Sequence, residues 1–230
     1  MSFTPGRSND VMHEYFLQHN GLRVLLVPRT GLSVCTANVT YGVGSRNEGL
    51  LVTGSTHYLE HGMFKGSKKY QGKNGMWKLE QRGAYMNATT YTDRTNYFEV
   101  LQTEDLESAL LREGDRMLEP LLTEELLKSE MSVVRNEMER GDNNSFEVLH
   151  KELLASAFIA HPYHHSTIGW KSDVEHVSAK ALRKFHDTYY TPRNASLTIV
   201  GSFDAEKVKD LIVKSFGHIP KGKAPPTMYT

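Results

Sequence analysis

Residues 54–67 read GSTHYLEHGMFKGS and place His57, Glu60 and His61 within five positions of one another. The stretch reads as a short helix from about Thr53 to Met63, closed on both sides by glycine. Upstream, residues 14–30, EYFLQHNGLRVLLVPRT, predict two short strands around an Asn20-Gly21 turn, and residues 33–41, SVCTANVTY, predict a third. The loop GVGSRNEG, residues 42–49, joins that strand to the helix. Downstream, a Gly/Lys loop leads to a second helix over NGMWKLEQR, residues 74–82. AYMNATTY (84–91) and TNYFEVLQT (95–103), separated by TDR, then predict a β-hairpin rich in aromatic and β-branched residues. The helix thus lies inside a strand-rich half.

From Glu104 to Tyr190 the apolar spacing turns helical. The segments are EDLESALLREGDRML (104–118), EELLKSEMSVVRNEMER (124–140) behind Thr123 as N-cap, SFEVLHKELLASAF (145–158) and SAKALRKFHDTYY (178–190). The irregular IAHPYHHSTIGW (159–170) interrupts them. ASLTIVG (195–201) returns to strand, and DAEKVKDLIVKSF (204–216) is an amphipathic helix opened by Asp204. Strands and helices mix without a βαβ rhythm. The end, GHIPKGKAPPTMYT (217–230), has the composition of a linker.

Composition excludes several classes. With 230 residues, 39% of them hydrophobic, the chain can build a sizeable core. Lys plus Arg and Asp plus Glu number 27 each, so no overall field draws nucleic acid or an anionic membrane. The single cysteine, Cys35, lies in an apolar alternation and excludes a disulfide framework. The first 16 residues lack a signal-peptide core, and no run approaches the roughly 20 apolar residues that span a bilayer. A soluble, cytoplasmic protein is the expectation.

Function must therefore come from a local site. On a helix turning about 100° per residue, with His57 at zero, Glu60 lies near −60° and His61 near +40°, all on one face. Two imidazoles at i and i+4 suit a single Zn²⁺, leaving the glutamate free to take a proton from a zinc-activated water. A surface helix carrying these residues with no metal is the plain alternative. Two imidazoles are too few for a catalytic zinc, so a third ligand must come from elsewhere. The helix over 124–140 offers one: Glu130 and Glu137 fall in line with its apolar stripe of Leu126, Leu127, Val133, Val134 and Met138, where an unpartnered carboxylate is costly. Zn²⁺ on His57 and His61 with Glu137 as third ligand, and Glu130 beside it to orient a histidine or position the water, would supply the missing positive charge. Pairing of the two glutamates with Arg135 or Arg140 on a solvated face is the rival reading.

GSTHYLEHGMFKGS, preceded by YGVGSRNEG and followed 76 residues after His61 by Glu137 in SEMSVVRNEMER, resembles the pitrilysin/insulinase family of inverted-motif zinc peptidases, or inverzincins. That family includes the mitochondrial processing peptidases. The likeness continues through GAYMNATTYTDRTNYFEV, HPYHHSTIGW and YYTPRNASLTIVGSFD, in family order over nearly the whole chain. By position it implies His57, His61 and Glu137 as zinc ligands, Glu60 as general base and Glu130 as an assisting acid. It also implies that Asn87 and Ala88 lie on an exposed strand edge that takes an extended peptide as an added strand. The fold implied is α+β, a mixed and mainly antiparallel sheet packed against helices, with one peptidase domain over residues 1–219 and a linker-like tail over 220–230. Members join two or four such units around a chamber, so a second family domain or a homo-oligomer is the implied partner, and a peptide the substrate.

Other signals are weaker. GVGSRN lacks the third glycine of a dinucleotide loop and reads as a loop near the site. His161, His164 and His165 read as loop packing in preference to a second metal site. Trp77 and Trp170 read as packing residues, and Cys35 has no catalytic context. The leading expectation is a zinc-dependent endopeptidase, a hydrolase using Glu60 as base. The alternatives are a non-catalytic peptide-binding or assembly subunit of the same fold, and an amino-terminal half that needs its other half for activity.

Overall fold

Alternation of buried and half-buried residues builds a sheet with one dry face. In β4 (Val34–Tyr41) Cys35, Ala37, Val39 and Tyr41 are buried while Thr36, Asn38 and Thr40 point the other way. The computed structural model describes residues 2–49, 52–72 and 77–228. Among them seven strands form one sheet: β1 (Phe3–Ser8), β2 (His13–Leu17), β3 (Arg23–Pro28), β4, β5 (Tyr85–Thr90), β6 (Thr95–Gln102) and β7 (Ala195–Gly201). Their spatial order is β1-β2-β3-β7-β4-β6-β5. The β3–β7 pair is parallel and every other pair antiparallel, so the sheet is mixed and mainly antiparallel.

Helices pack on the dry face and on one another. They are α1 (Ser55–Met63), α2 (Trp77–Glu80), α3 (Leu106–Leu118), α4 (Glu124–Asp142), α5 (Ser145–Ala157), α6 (Lys171–His176), α7 (Ala179–Tyr189) and α8 (Ala205–Phe216). Val24, Leu26, Val39, Leu197 and Ile199 of the sheet join Ala109, Leu110, Val208, Ile212 and Phe216 of α3 and α8 in one core. Thr123 opens α4 by accepting the Leu126 N–H, and Asp204 opens α8 by accepting the Lys207 N–H. Both caps lie where the sequence puts them. The architecture is the α+β class expected.

Local differences from these expectations remain. The helix expected from Thr53 starts at Ser55, because Gly54 has φ +82°, a left-handed conformation that cannot continue a right-handed helix. Strand β1 falls in a stretch read only for targeting signals; it is an edge strand, where Pro5 and a register shift between Pro5 and Ser8 are tolerated. Helix α6 follows a Pro- and His-rich segment that obscured it. Val133, placed on the apolar stripe of α4, is 45% exposed, whereas Leu127, Val134 and Met138 are buried. The helix expected over 74–82 appears as Trp77–Glu80, and residues 74–76 lie outside the described residues.

At the end of the chain, residues 220–228 form neither helix nor strand, and the Arg193 N–H donates to Lys221 O. No helix among the described residues is long and apolar enough to cross a membrane.

Candidate metal centre

Helix α1 reaches the site because its inner face is anchored. Tyr58, Leu59 and Met63 are buried, and the Tyr58 hydroxyl donates to Leu127 O, tying α1 to α4. Gly62 lets the two helices close up: a Cβ there would meet Leu122 Cδ2 at 3.0 Å and Leu127 Cδ2 at 3.2 Å. With the helices so placed, the outer side of α1 turns His57 and His61 toward Glu137 of α4.

His57 Nε2 lies 3.7 Å and His61 Nε2 3.5 Å from Glu137 Oε2. One ligand atom from each of the three residues lies within 4.8 Å of the other two. Ligand atoms about 2 Å from one tetrahedral ion are roughly 3.3 Å apart, so the set fits a metal ion with small adjustment, whereas 3.5–3.7 Å is too long for good hydrogen bonds. This is the one group of three or more His, Cys, Asp or Glu side chains arranged to hold an ion among the described residues.

The electrostatics suit a cation. Burial, reinforced by the neighbouring His61, lowers His57 to about 4, so its imidazole is neutral and its lone pair free at pH 7. Burial also acts to lower His61, but the neighbouring carboxylates of Glu137, Glu60 and Glu130 outweigh it and raise the group. The same contact with His61 is the main effect holding Glu137 below the usual carboxylate range. His57 Nδ1 is buried with no hydrogen-bond partner among the described residues.

Glu60 stands beside this triad rather than in it. Its Oε2 accepts the Thr90 hydroxyl at 2.5 Å, and burial raises its carboxyl above the ordinary value, opposed by that bond and by His61. Glu130, with a side chain 12% exposed, places Oε2 3.5 Å from His61 Nδ1. Its other oxygen pairs closely with Lys65 Nζ. The rival pairing is not what the structure contains: Arg135 meets Glu175 at 3.4 Å, and Arg140 acts on Glu137 only as the last of several lowering charges.

Asn87 and Ala88 lie on β5, which ends the sheet, so one side of that strand has no neighbour among the described residues. Asn87 is exposed and the Ala88 side chain is buried. Lys65 and Thr90, the partners of Glu130 and Glu60, were missed as site residues because no periodic signal marks them. The His161–His165 cluster packs locally: His161 Nδ1 accepts the Tyr163 N–H, and His164 Nδ1 lies 3.0 Å from His161 O. A cavity of about 380 Å³ opens beside the triad, with His57, Glu137, Met138, Phe146 and Ile168 in its wall.

Residues 23–171, more than half of the chain, match the family described as "Insulinase (Peptidase family M16)". The chain belongs to the insulinase family of peptidases. Residues 176–230 of this insulinase-family chain match the description "Peptidase M16 inactive domain". It is 34% identical over 223 residues to zinc protease PqqE of Helicobacter pylori, covering 94% of this chain and 50% of that protein. It is 30% identical over 204 residues to human mitochondrial cytochrome b-c1 complex subunit 1, covering 89% and 42%. A crystal structure of a protease from Helicobacter pylori superposes with a TM-score of 0.89 at 32% identity, covering 95% of this chain and 53% of that one. The chain thus spans about half the length of the relatives it matches.

Proposed function

We propose that this chain is the metal-bearing domain of a zinc-dependent endopeptidase that hydrolyses peptides held in extended form. The observation that carries the reading is the meeting of α1 and α4, which brings two imidazoles and a carboxylate to within 4.8 Å of one another beside a half-buried glutamate. The zinc protease named among the relatives supports Zn²⁺ as the ion.

In this reading His57, His61 and Glu137 hold the Zn²⁺, and Glu130, itself held by Lys65, orients His61 through Nδ1. When bound, Zn²⁺ polarises the scissile carbonyl and lowers the pKa of the attacking water toward about 7. Glu60 takes the proton of that water and delivers it to the departing amine nitrogen. Burial raises its carboxyl above the ordinary value, which makes it a better proton acceptor than an exposed glutamate. The Thr90 hydroxyl anchors Oε2, which leaves Oε1 to receive the proton. The substrate adds along the edge of β5 at Asn87 and Ala88, where main-chain pairing gives affinity with little side-chain selectivity.

The domain runs over residues 1–219 with 220–230 as a linker-like tail. A second family domain or a second copy covers α5, where Phe146, Leu149 and Leu153 are 76%, 64% and 60% exposed. That exposure, with the half-length match, favours one alternative: an amino-terminal half that cleaves only when joined by its other half.

Zinc content and hydrolysis of a mixed peptide library, with and without chelator, test the reading. Glu60→Gln is expected to keep zinc and lose hydrolysis by at least about 100-fold, while His57→Ala and Glu137→Ala lose both. Full cleavage by the Gln variant removes Glu60 from the mechanism. Bound zinc with cleavage only after the remaining half is supplied supports the half-enzyme. No zinc at all supports a non-catalytic assembly subunit; one relative is named as a subunit of the cytochrome b-c1 complex.

A further inference from the structure

Helix α1 has no cap of its own. Its N-cap is Gly54, without a side chain, and no acidic residue occupies its first turn. A capping side chain is excluded there, because a Cβ on Gly54 would lie 2.4 Å from Ile168 O and 2.6 Å from Val174 Cγ2, in a left-handed backbone that already disfavours one. The opening N–H groups are nevertheless satisfied from six residues upstream. Glu48 Oε2 accepts the Gly54 N–H at 2.8 Å, and Oε1 accepts the Thr56 N–H at 2.7 Å.

The Glu48 side chain is fully buried. Burial pushes its carboxyl up to about 8, and the bonds from Thr56 and Gly54 act against that rise. Around it, His165 Nδ1 lies 3.7 Å from Oε2, and Asp173 accepts both the N–H and the hydroxyl of Thr53, at 3.2 and 2.7 Å. Thr53 in turn accepts the Trp170 N–H at 2.9 Å. A carboxyl group is costly to bury, and this one is spent on the first turn of a nine-residue helix.

We infer that Glu48 is a positioning residue for His57, acting through the Thr56 N–H that immediately precedes that imidazole. The inference rests on the reading of His57 as a metal ligand. Helix α1 makes about two and a half turns, and its first turn has no earlier turn to lean on. His57 belongs to that turn. His61 belongs to the next, which the buried Leu59 and Met63 hold and where Glu130 faces its Nδ1 at 3.5 Å. Removing the Glu48 carboxyl group therefore frays the turn that aims His57 and leaves His61 in place, so that the metal keeps one imidazole and loses the alignment of the other.

Two measurements on the purified chain test this. Co²⁺ is titrated into the wild type, Glu48→Gln and Glu48→Ala, with affinity and the visible d–d band as readouts. Amide hydrogen exchange at Gly54 and Thr56 is followed in the metal-free proteins, with α8 as internal control. The Gln variant keeps one acceptor oxygen and is expected to lose Co²⁺ affinity about tenfold with an altered band; the Ala variant, about a hundredfold. Exchange at Gly54 and Thr56 should quicken in both while α8 is unchanged, and Glu48→Gln serves if the Ala variant does not fold. Faster exchange with wild-type Co²⁺ affinity and band reduces Glu48 to a structural cap and overturns the inference. A wild type that yields no Co²⁺ band overturns the metal reading itself, and the inference with it.

Discussion

Beneath the sheet, Arg116 of α3 runs between Glu99 of β6 and Glu113; where α1 crosses α4, Glu130 and Glu137 face two histidines. Both places bury or half-bury a pair of carboxylates, and they balance them differently. Arg116 pairs closely with Glu113, lies 3.5 Å from Glu99 and stacks over the Tyr97 ring, 4.4 Å from its centre. Burial, with Glu113 close by, pushes Glu99 well above the carboxylate range, so its proton completes the balance. At the crossing, Lys65 serves Glu130, but Glu137 has no Lys or Arg within ion-pair distance among the described residues, only two imidazoles, one of them neutral at pH 7. The first cluster carries its own cation. The second leaves room for one to arrive.

Breaking the first cluster has the largest expected effect. Arg116→Met strands Glu113 in the core and should cost about 3–5 kcal/mol, read as a lower urea midpoint at pH 7 with an unchanged slope. A wild-type midpoint would mean that the arginine is not what makes the burial tolerable. The second cluster answers to metal instead. Zn²⁺ at 100 times its dissociation constant should raise the stability of the wild-type chain by about 2.7 kcal/mol, and Glu137→Gln should abolish most of that gain while leaving the metal-free stability nearly unchanged. Equal stabilisation of both chains would place the ion elsewhere.

A third effect sharpens the contrast through pH. In the metal-free protein the His57 imidazole should stay neutral until about pH 4, by nitrogen-detected NMR. Its folded-state pKa is below the unfolded 6.5, so the unfolded chain binds the extra proton between those values. The His57 contribution to stability is thus complete above pH 6.5 and is lost as pH falls through about 4. An ordinary midpoint near 6.5 would show that the imidazole is hydrated and not held ready.

Much of this was readable from periodicity. Helix α4, its Thr123 cap, the β5–β6 hairpin and the shared face of His57, Glu60 and His61 depend on local spacing, which a sequence displays directly. Glu130 and Glu137 showed themselves as carboxylates on the wrong side of an amphipathic helix. The rest depends on contacts between distant residues. Thr90 reaches Glu60 across 30 residues, and Asp173 reaches Thr53 across 120. No period marks such partners. Val133 was misplaced because Leu127, Val134 and Met138 are buried while it turns outward, a distinction of one helical step. Strand β1 was hidden by Pro5 and Gly6, which speak against a strand everywhere but at an edge.

The position of β7 has a consequence for how the molecule assembles. It lies between β3 and β4, and those two strands pair with it rather than with each other. Until residues 195–201 have left the ribosome, the first three strands and the next three are separate ribbons with a gap where their common neighbour belongs. Such late, long-range closure is slow. A chain cut short before Ala195 should therefore hold every proposed metal ligand and still fail to bring them to a fixed geometry.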